Sequence, residues 1–117
     1  IGHRARSTSL NSISIGPLSE SKGDNSISIG ENSESSEKSI AIGFKSKSNN
    51  TSSISIGDQS NANGEKSIAI GYKSFADNSN SIAIGDDSNC NSSNCISMGY
   101  HVTIDNNSEN SISINTS

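Results

Sequence analysis

Asn80-Ser81-Ile82-Ala83-Ile84-Gly85 is one instance of a pattern that governs the whole chain. The pentapeptide Ser-Ile-Ser/Ala-Ile-Gly also closes at Gly16, Gly30, Gly43, Gly57 and Gly71; Cys95 to Gly99 reads Cys-Ile-Ser-Met-Gly, and Ser111 to Asn115 ends in Asn. Counting from Gly2, the closing glycines are 14, 14, 13, 14, 14, 14 and 14 residues apart, and the last copy closes after 16. A register held over that many copies marks a repeat architecture and takes precedence over any local reading.

With the closing Gly set as column 14, each column becomes a physical site. Columns 11 and 13 hold the pairs Ile13 and Ile15, Ile27 and Ile29, Ile40 and Ile42, Ile54 and Ile56, Ile68 and Ile70, Ile82 and Ile84, Ile96 and Met98, and Ile112 and Ile114. Alternation with period two reads as a strand, with both Ile on one face and columns 10 and 12 on the other. That other face is small: column 10 is Ser except for Cys95, and column 12 is Ser or Ala. A second short strand shows at columns 3 and 5, small from Ala5 and Ser7 to Ser88 and Cys90, between variable columns that carry Arg4, Arg6, Glu20, Glu34, Lys45, Lys47, Lys73 and Asp87. Gly16 and its equivalents suit one corner. Gly23, Gly64, Asn50 and Asn78 suit the other, where residues tolerant of positive φ are expected.

Composition alone would suggest disorder. Ser supplies 30 of the 117 residues and Asn 16, against 28% apolar residues and a net charge of -4, a balance typical of chains that cannot bury enough surface to fold. Yet 17 of the apolar residues are Ile, the most β-favouring aliphatic, and all but Ile104 fall in the two Ile columns. No apolar run is long enough to span a bilayer and no signal peptide is recognisable, so membrane insertion by this stretch is not expected. Eight Lys and Arg against twelve Asp and Glu leave no basic surplus for nucleic acid.

A coil of two short strands and two turns stacks on its neighbours by parallel pairing, which predicts an all-β solenoid of about eight 14-residue coils, spanning residues 1–117 as one repeat array. The interior is expected to set the Ile pair of one wall against Ser and Ala of the other. So thin a core makes a lone roll marginal against the entropy of ordering the chain. Further burial is expected from neighbouring chains, packed through the small face at columns 10 and 12.

The Ser-Ile-Ala-Ile-Gly core, preceded by Asn at Asn80 and Asn25, followed by x-x-Ser-x-Ala and recurring every 14 residues, resembles the head repeat of YadA-like trimeric autotransporter adhesins. The resemblance covers essentially the whole chain. It implies a left-handed parallel β-roll, a homotrimer, and display on the outside of a Gram-negative cell at the tip of a stalk. It further implies non-catalytic attachment to host receptors, extracellular matrix proteins or other heads. Nothing here reads as stalk heptads, membrane anchor or neck, and Ile1-Gly2 is the tail of a coil, so a fragment of a longer array is expected. A segment of a bacteriophage or viral trimeric fibre, serving as spacer or receptor-binding rod, is the rival reading.

Departures from the repeat are the remaining candidates for function. The copy Glu31 to Gly43 is one residue short at its polar turn, and the copy from Tyr100 to Asn115 is two longer, with Val102 and Ile104 in normally small columns. A terminal coil and a ligand-binding loop both fit the longer copy. Cys90 and Cys95 fit small buried residues, a disulfide across the turn, or an interchain contact at the three-fold axis; their spacing does not suit a metal. His3 and His101 lack partners at ligand spacing, no Ser-His-Asp constellation or phosphate loop stands out, and neither catalysis, metal nor cofactor is expected. Thr8, Thr51, Thr103 and Thr116 do not form the Thr ladder of an ice-binding solenoid. Phe44, Tyr72 and Tyr100 share column 1, with Phe75 close to Tyr72 in the same coil. They read either as an adhesive aromatic strip or as corner packing between subunits.

Overall fold

Ile-x-Ile followed by Gly makes a three-residue strand because β-branched residues favour extended backbone and the Gly then turns the chain. The structure, a computed structural model, describes residues 1–115. Its strands, numbered in chain order, fall into two sets. The odd set is β1 (Arg6–Ser7), β3 (Glu20–Ser21), β5 (Glu34–Ser35), β7 (Lys47–Ser48), β9 (Asn61–Ala62), β11 (Phe75–Ala76), β13 (Asn89–Cys90) and β15 (Thr103–Ile104). The even set is β2 (Ile13–Ile15), β4 (Ile27–Ile29), β6 (Ile40–Ile42), β8 (Ile54–Ile56), β10 (Ile68–Ile70), β12 (Ile82–Ile84), β14 (Ile96–Met98) and β16 (Ile112–Ile114). Each set forms one eight-stranded sheet in coil order, and every pairing is parallel with like columns facing, as in Ile68 opposite Ile82 and Ala69 opposite Ala83. The result is a parallel β-solenoid, an elongated body of 40 × 23 × 16 Å.

The two length variants leave the strands untouched. Ile27 still pairs with Ile40 across the short copy, whose missing residue falls in the turn where Ser39 N donates to Ser36 O at 3.3 Å. In the long copy Ile96 still pairs with Ile112, and the extra residues lie in the turn at 105–110. That turn is tied back to the body where Ser108 N donates to Ser92 Oγ at 3.1 Å.

The inside of the roll is the reverse of the one expected from the columns. In every even strand from β4 to β14 the middle residue, Ser or Ala, is buried, while the flanking Ile or Met is half-buried or exposed. Columns 3, 5, 10 and 12 together fill the interior: Ala41, Ala69, Ala83, Ser26 and Ser60 are all completely buried. The Ile columns therefore point outwards, and the small face proposed for packing against neighbouring chains is used up within one chain. The reason is wall separation. Hydroxyls reach across the roll in single contacts, as between Ser14 and Ser19 at 2.7 Å, so the walls stand closer than the ~10 Å of ordinary packed sheets and leave no room for Ile. Val102 and Ile104 do turn inwards, in the last coil.

A core of serine is tolerable because its hydroxyls are bonded. Column 10 serines donate to the column 7 carbonyl, as in Ser26 to Gly23 at 2.6 Å and Ser53 to Asn50 at 2.7 Å. Column 3 serines donate to the closing glycine of the preceding coil, as in Ser33 to Gly30 at 2.8 Å. Among the described residues Ser46 Oγ is a buried side-chain oxygen without a partner, and the residue in the place of its cross-wall serine is Ala41.

The glycine corner is as expected, and the other corner differs. The closing glycines have φ from 120° to 134°, and a Cβ on Gly16 would fall 2.7 Å from the carbonyl carbon of Gly30 in the next coil. Glycine is thus required twice over in that column. At the other corner the left-handed residues include Asn25, Ser52, Lys66 and Asn80, each two places beyond Gly23, Asn50, Gly64 and Asn78. Gly64 is needed instead for close stacking, since a Cβ there would collide with the backbone of Asn78.

Candidate functional surfaces

Three surfaces follow from this arrangement. The first is the outer face of the even-strand sheet, two continuous columns of Ile. Ile13 is 47% exposed and Ile56 36% exposed, and like columns abut from β2 to β16. A single chain thus presents a long apolar strip with nothing over it.

The second is the column 1 corner. Backbone bonds hold it in a ladder: Gln59 N donates to Phe44 O at 2.8 Å, Lys73 N to Asp58 O at 3.0 Å, Asp87 N to Tyr72 O at 2.8 Å and His101 N to Asp86 O at 3.0 Å. The column from Phe44 onward therefore reads Phe44, Asp58, Tyr72, Asp86, Tyr100. Phe44, Tyr72 and Tyr100 are 40%, 44% and 58% exposed, and Asp58 and Asp86 are exposed between them. Each ring has a basic residue beside it in sequence. Lys45 Nζ lies 5.0 Å from the Phe44 ring centre and Lys73 Nζ 5.1 Å from that of Tyr72, both in cation–π range. The Tyr100 and His101 rings meet edge to face at 4.0 Å, and His101 Nδ1 is 2.6 Å from Asp87 Oδ2. Tyr72 raises the pKa of Lys73, chiefly through a side-chain hydrogen bond. Phe75 stands apart from this column, in β11 between Asn61 and Asn89.

The third is a charged ladder on the outer face of the odd sheet. Arg6 lies 3.8 Å from Glu20, Lys22 3.6 Å from Glu20 and 2.5 Å from Glu34, and Lys47 3.5 Å from Glu34. The Lys22 bond to Glu34 is the largest cause of a lowered Glu34 pKa and a raised Lys22 pKa. Arg4, Arg6, Leu18, Ser19 and Glu20 line a cleft of about 250 Å³ at the start of this ladder.

Cys90 and Cys95 lie inside the roll, both fully buried, with Cα atoms 6.0 Å apart and sulfurs facing each other, within disulfide range. Burial removes Cys95 from any contact between chains. Among the described residues no group of three or more His, Cys, Asp or Glu is placed to hold a metal ion, and no helix is long and apolar enough to cross a membrane. The Ile strip is the surface that the column reading missed. Its signal was present: two strands each with a small face can close a narrow roll only if those faces meet.

Comparison with known proteins agrees with this geometry. In structure, the collagen-binding domain of the Yersinia adhesin YadA is similar, at a TM-score of 0.62 and 23% sequence identity over 92% of this chain and 82% of that one. No curated protein matches the sequence. The family model described as YadA head domain repeat (2 copies) matches residues 7–33, 21–37, 35–60, 50–74 and 62–88. With the matches running through most of the coils described above, the chain belongs to the YadA head domain repeat family.

Proposed function

We propose that the chain is the head of a non-catalytic bacterial surface adhesin, in which three copies associate through their Ile strips and present the remaining faces to a host receptor or matrix protein. The single observation that carries this reading is the outward Ile strip. A soluble chain has little physical reason to line one whole face with its most apolar residue unless that face is covered, and a second copy offers a matching strip of the same length. The number three comes from the family resemblance, as does display on the outer surface of the cell. Trimerisation would set three column 1 corners on one particle, so that weak contacts add as avidity. The ligand surface assigned here is Phe44, Tyr72 and Tyr100, with Phe75 outside it. A matrix protein as partner is supported by the structural likeness to a collagen-binding domain.

Two measurements on the purified chain test this. Sedimentation equilibrium is expected to give three times the chain mass, and immobilised matrix proteins are expected to retain the assembled form. A single-chain mass for a well-folded sample would overturn the assembly, and no retention on any host matrix or cell surface would overturn the adhesin reading.

A further inference from the structure

We infer that the column 1 corner is a platform for an extended chain of β-linked neutral or N-acetylated hexoses, of the cellulose or chitin type. This rests on the reading of that corner as ligand-facing in the assembled head. The backbone ladder puts Phe44, Asp58, Tyr72, Asp86 and Tyr100 on successive coils. Aromatic rings therefore recur every second coil, ~9.6 Å apart at the parallel inter-strand spacing, which is roughly the disaccharide repeat of an extended β-linked glycan. Sugars in odd places would lie over the rings, whose faces accept the C–H surface of a pyranose. Those in even places would sit by Asp58 and Asp86, which are exposed and, as carboxylates, accept hydrogen bonds from hydroxyls.

The neighbouring side chains agree with this use. Lys45 and Lys73 lie against the rings of Phe44 and Tyr72, and His101 against that of Tyr100, which limits ring motion and supplies donors at the sugar edge. Rings already held in place lose less freedom on binding. The carboxylates between the rings repel acidic sugars, so a polyuronate is disfavoured. Three rings in line reach over five coils, about 19 Å between the outer two, and a glycan must be some five sugars long to touch all of them. Phe75 lies outside the line and contributes nothing.

Chain-length dependence is the test. The full chain in its assembled form is titrated with chitin- and cellulose-derived disaccharide, tetrasaccharide and hexasaccharide, and with a hexasaccharide of uronic acid. Affinity is expected to rise at each step in length, by about ten-fold for each further ring engaged, equivalent to ~1.4 kcal/mol per ring, with the uronic acid chain weakest. Tyr72→Ala, which removes the middle ring and leaves two, is expected to return the hexasaccharide to tetrasaccharide strength. Glu65→Gln, on the opposite corner, is expected to leave it unchanged. Equal affinity at all lengths, no binding of any glycan, or an intact response in Tyr72→Ala would overturn the proposal. Matrix-protein retention is followed in the same samples: retention without glycan binding sinks the glycan and leaves the adhesin reading standing, while loss of both in Tyr72→Ala alone supports the glycan as the shared ligand chemistry.

Discussion

Cys90 and Cys95 stand on facing walls of one coil with their Cα atoms 6.0 Å apart. Ordinary face-to-face sheets are ~10 Å apart, so this one distance explains why the interior up to the last coil holds Ser, Ala and Cys while the Ile of columns 11 and 13 are turned out. It also ties the composition to the surface, since a roll this narrow keeps its paired large apolar side chains on the outside.

Enlarging an interior side chain should therefore be severe. Ala69 is 0% exposed, and Ala69→Leu is expected to cost at least ~3 kcal/mol or to prevent folding, whereas Ile70→Leu on the outer face should cost less than ~1.5 kcal/mol. Urea unfolding of the two variants compares them directly; equal midpoints would contradict the narrow interior.

Hydroxyl pairing should be readable serine by serine. Ser33 Oγ donates to Gly30 O at 2.8 Å, and Ser33→Ala is expected to lose about 1 kcal/mol. Ser46 Oγ has no partner, so Ser46→Ala should be neutral or stabilising in the same thermal unfolding experiment.

Bonding of the cysteine pair would join two residues five apart in sequence. Replacing both by Ser is expected to lower stability by roughly 2 kcal/mol on the chain-entropy account. A thiol titration of the denatured, unreduced chain gives the state itself: no free thiol is the expected outcome, and two would refute the bond.

Charge placed on the Ile strip should separate assembly from folding. Ile56 is 36% exposed in the single chain, so Ile56→Asp is expected to reduce the sedimenting mass while far-ultraviolet circular dichroism at low temperature keeps its β signature. An unchanged assembled mass would mean that the strip is not the interface.

The ion ladder predicts a modest loss of stability at both ends of the pH range. Glu34 has a lowered pKa, so its contribution is complete above the ordinary carboxylate value and is lost as pH falls through the lowered one; Lys22 has a raised pKa, so its contribution is complete below the ordinary lysine value and is lost as pH climbs through the raised one. Because both side chains are about a third to a half exposed, the effect should stay below ~1 kcal/mol. Glu34→Gln is expected to flatten the acid limb of a melting-temperature profile, and an unaltered limb would show that the pair adds nothing.

The 14-residue period, the strand at Ile82 to Ile84, the glycine corner at Gly85 and the polar turns that absorb both length changes were all legible in the sequence. Each rests on local chemistry repeated in register, and that repetition also carries the family. Which face of the Ile strand lies inside was not legible from the strand, because alternation separates two faces without saying which one meets the opposite wall. That was decided by the distance between the walls, a property of the closed coil, which admits Ala83 and excludes Ile82 and Ile84. The same holds for the aromatic column. The sequence placed Phe44, Tyr72 and Tyr100 at one position, but only stacking of the coils set Phe75 apart and put Asp58 and Asp86 between the rings, because strand register converts sequence separation into a fixed rise along the rod.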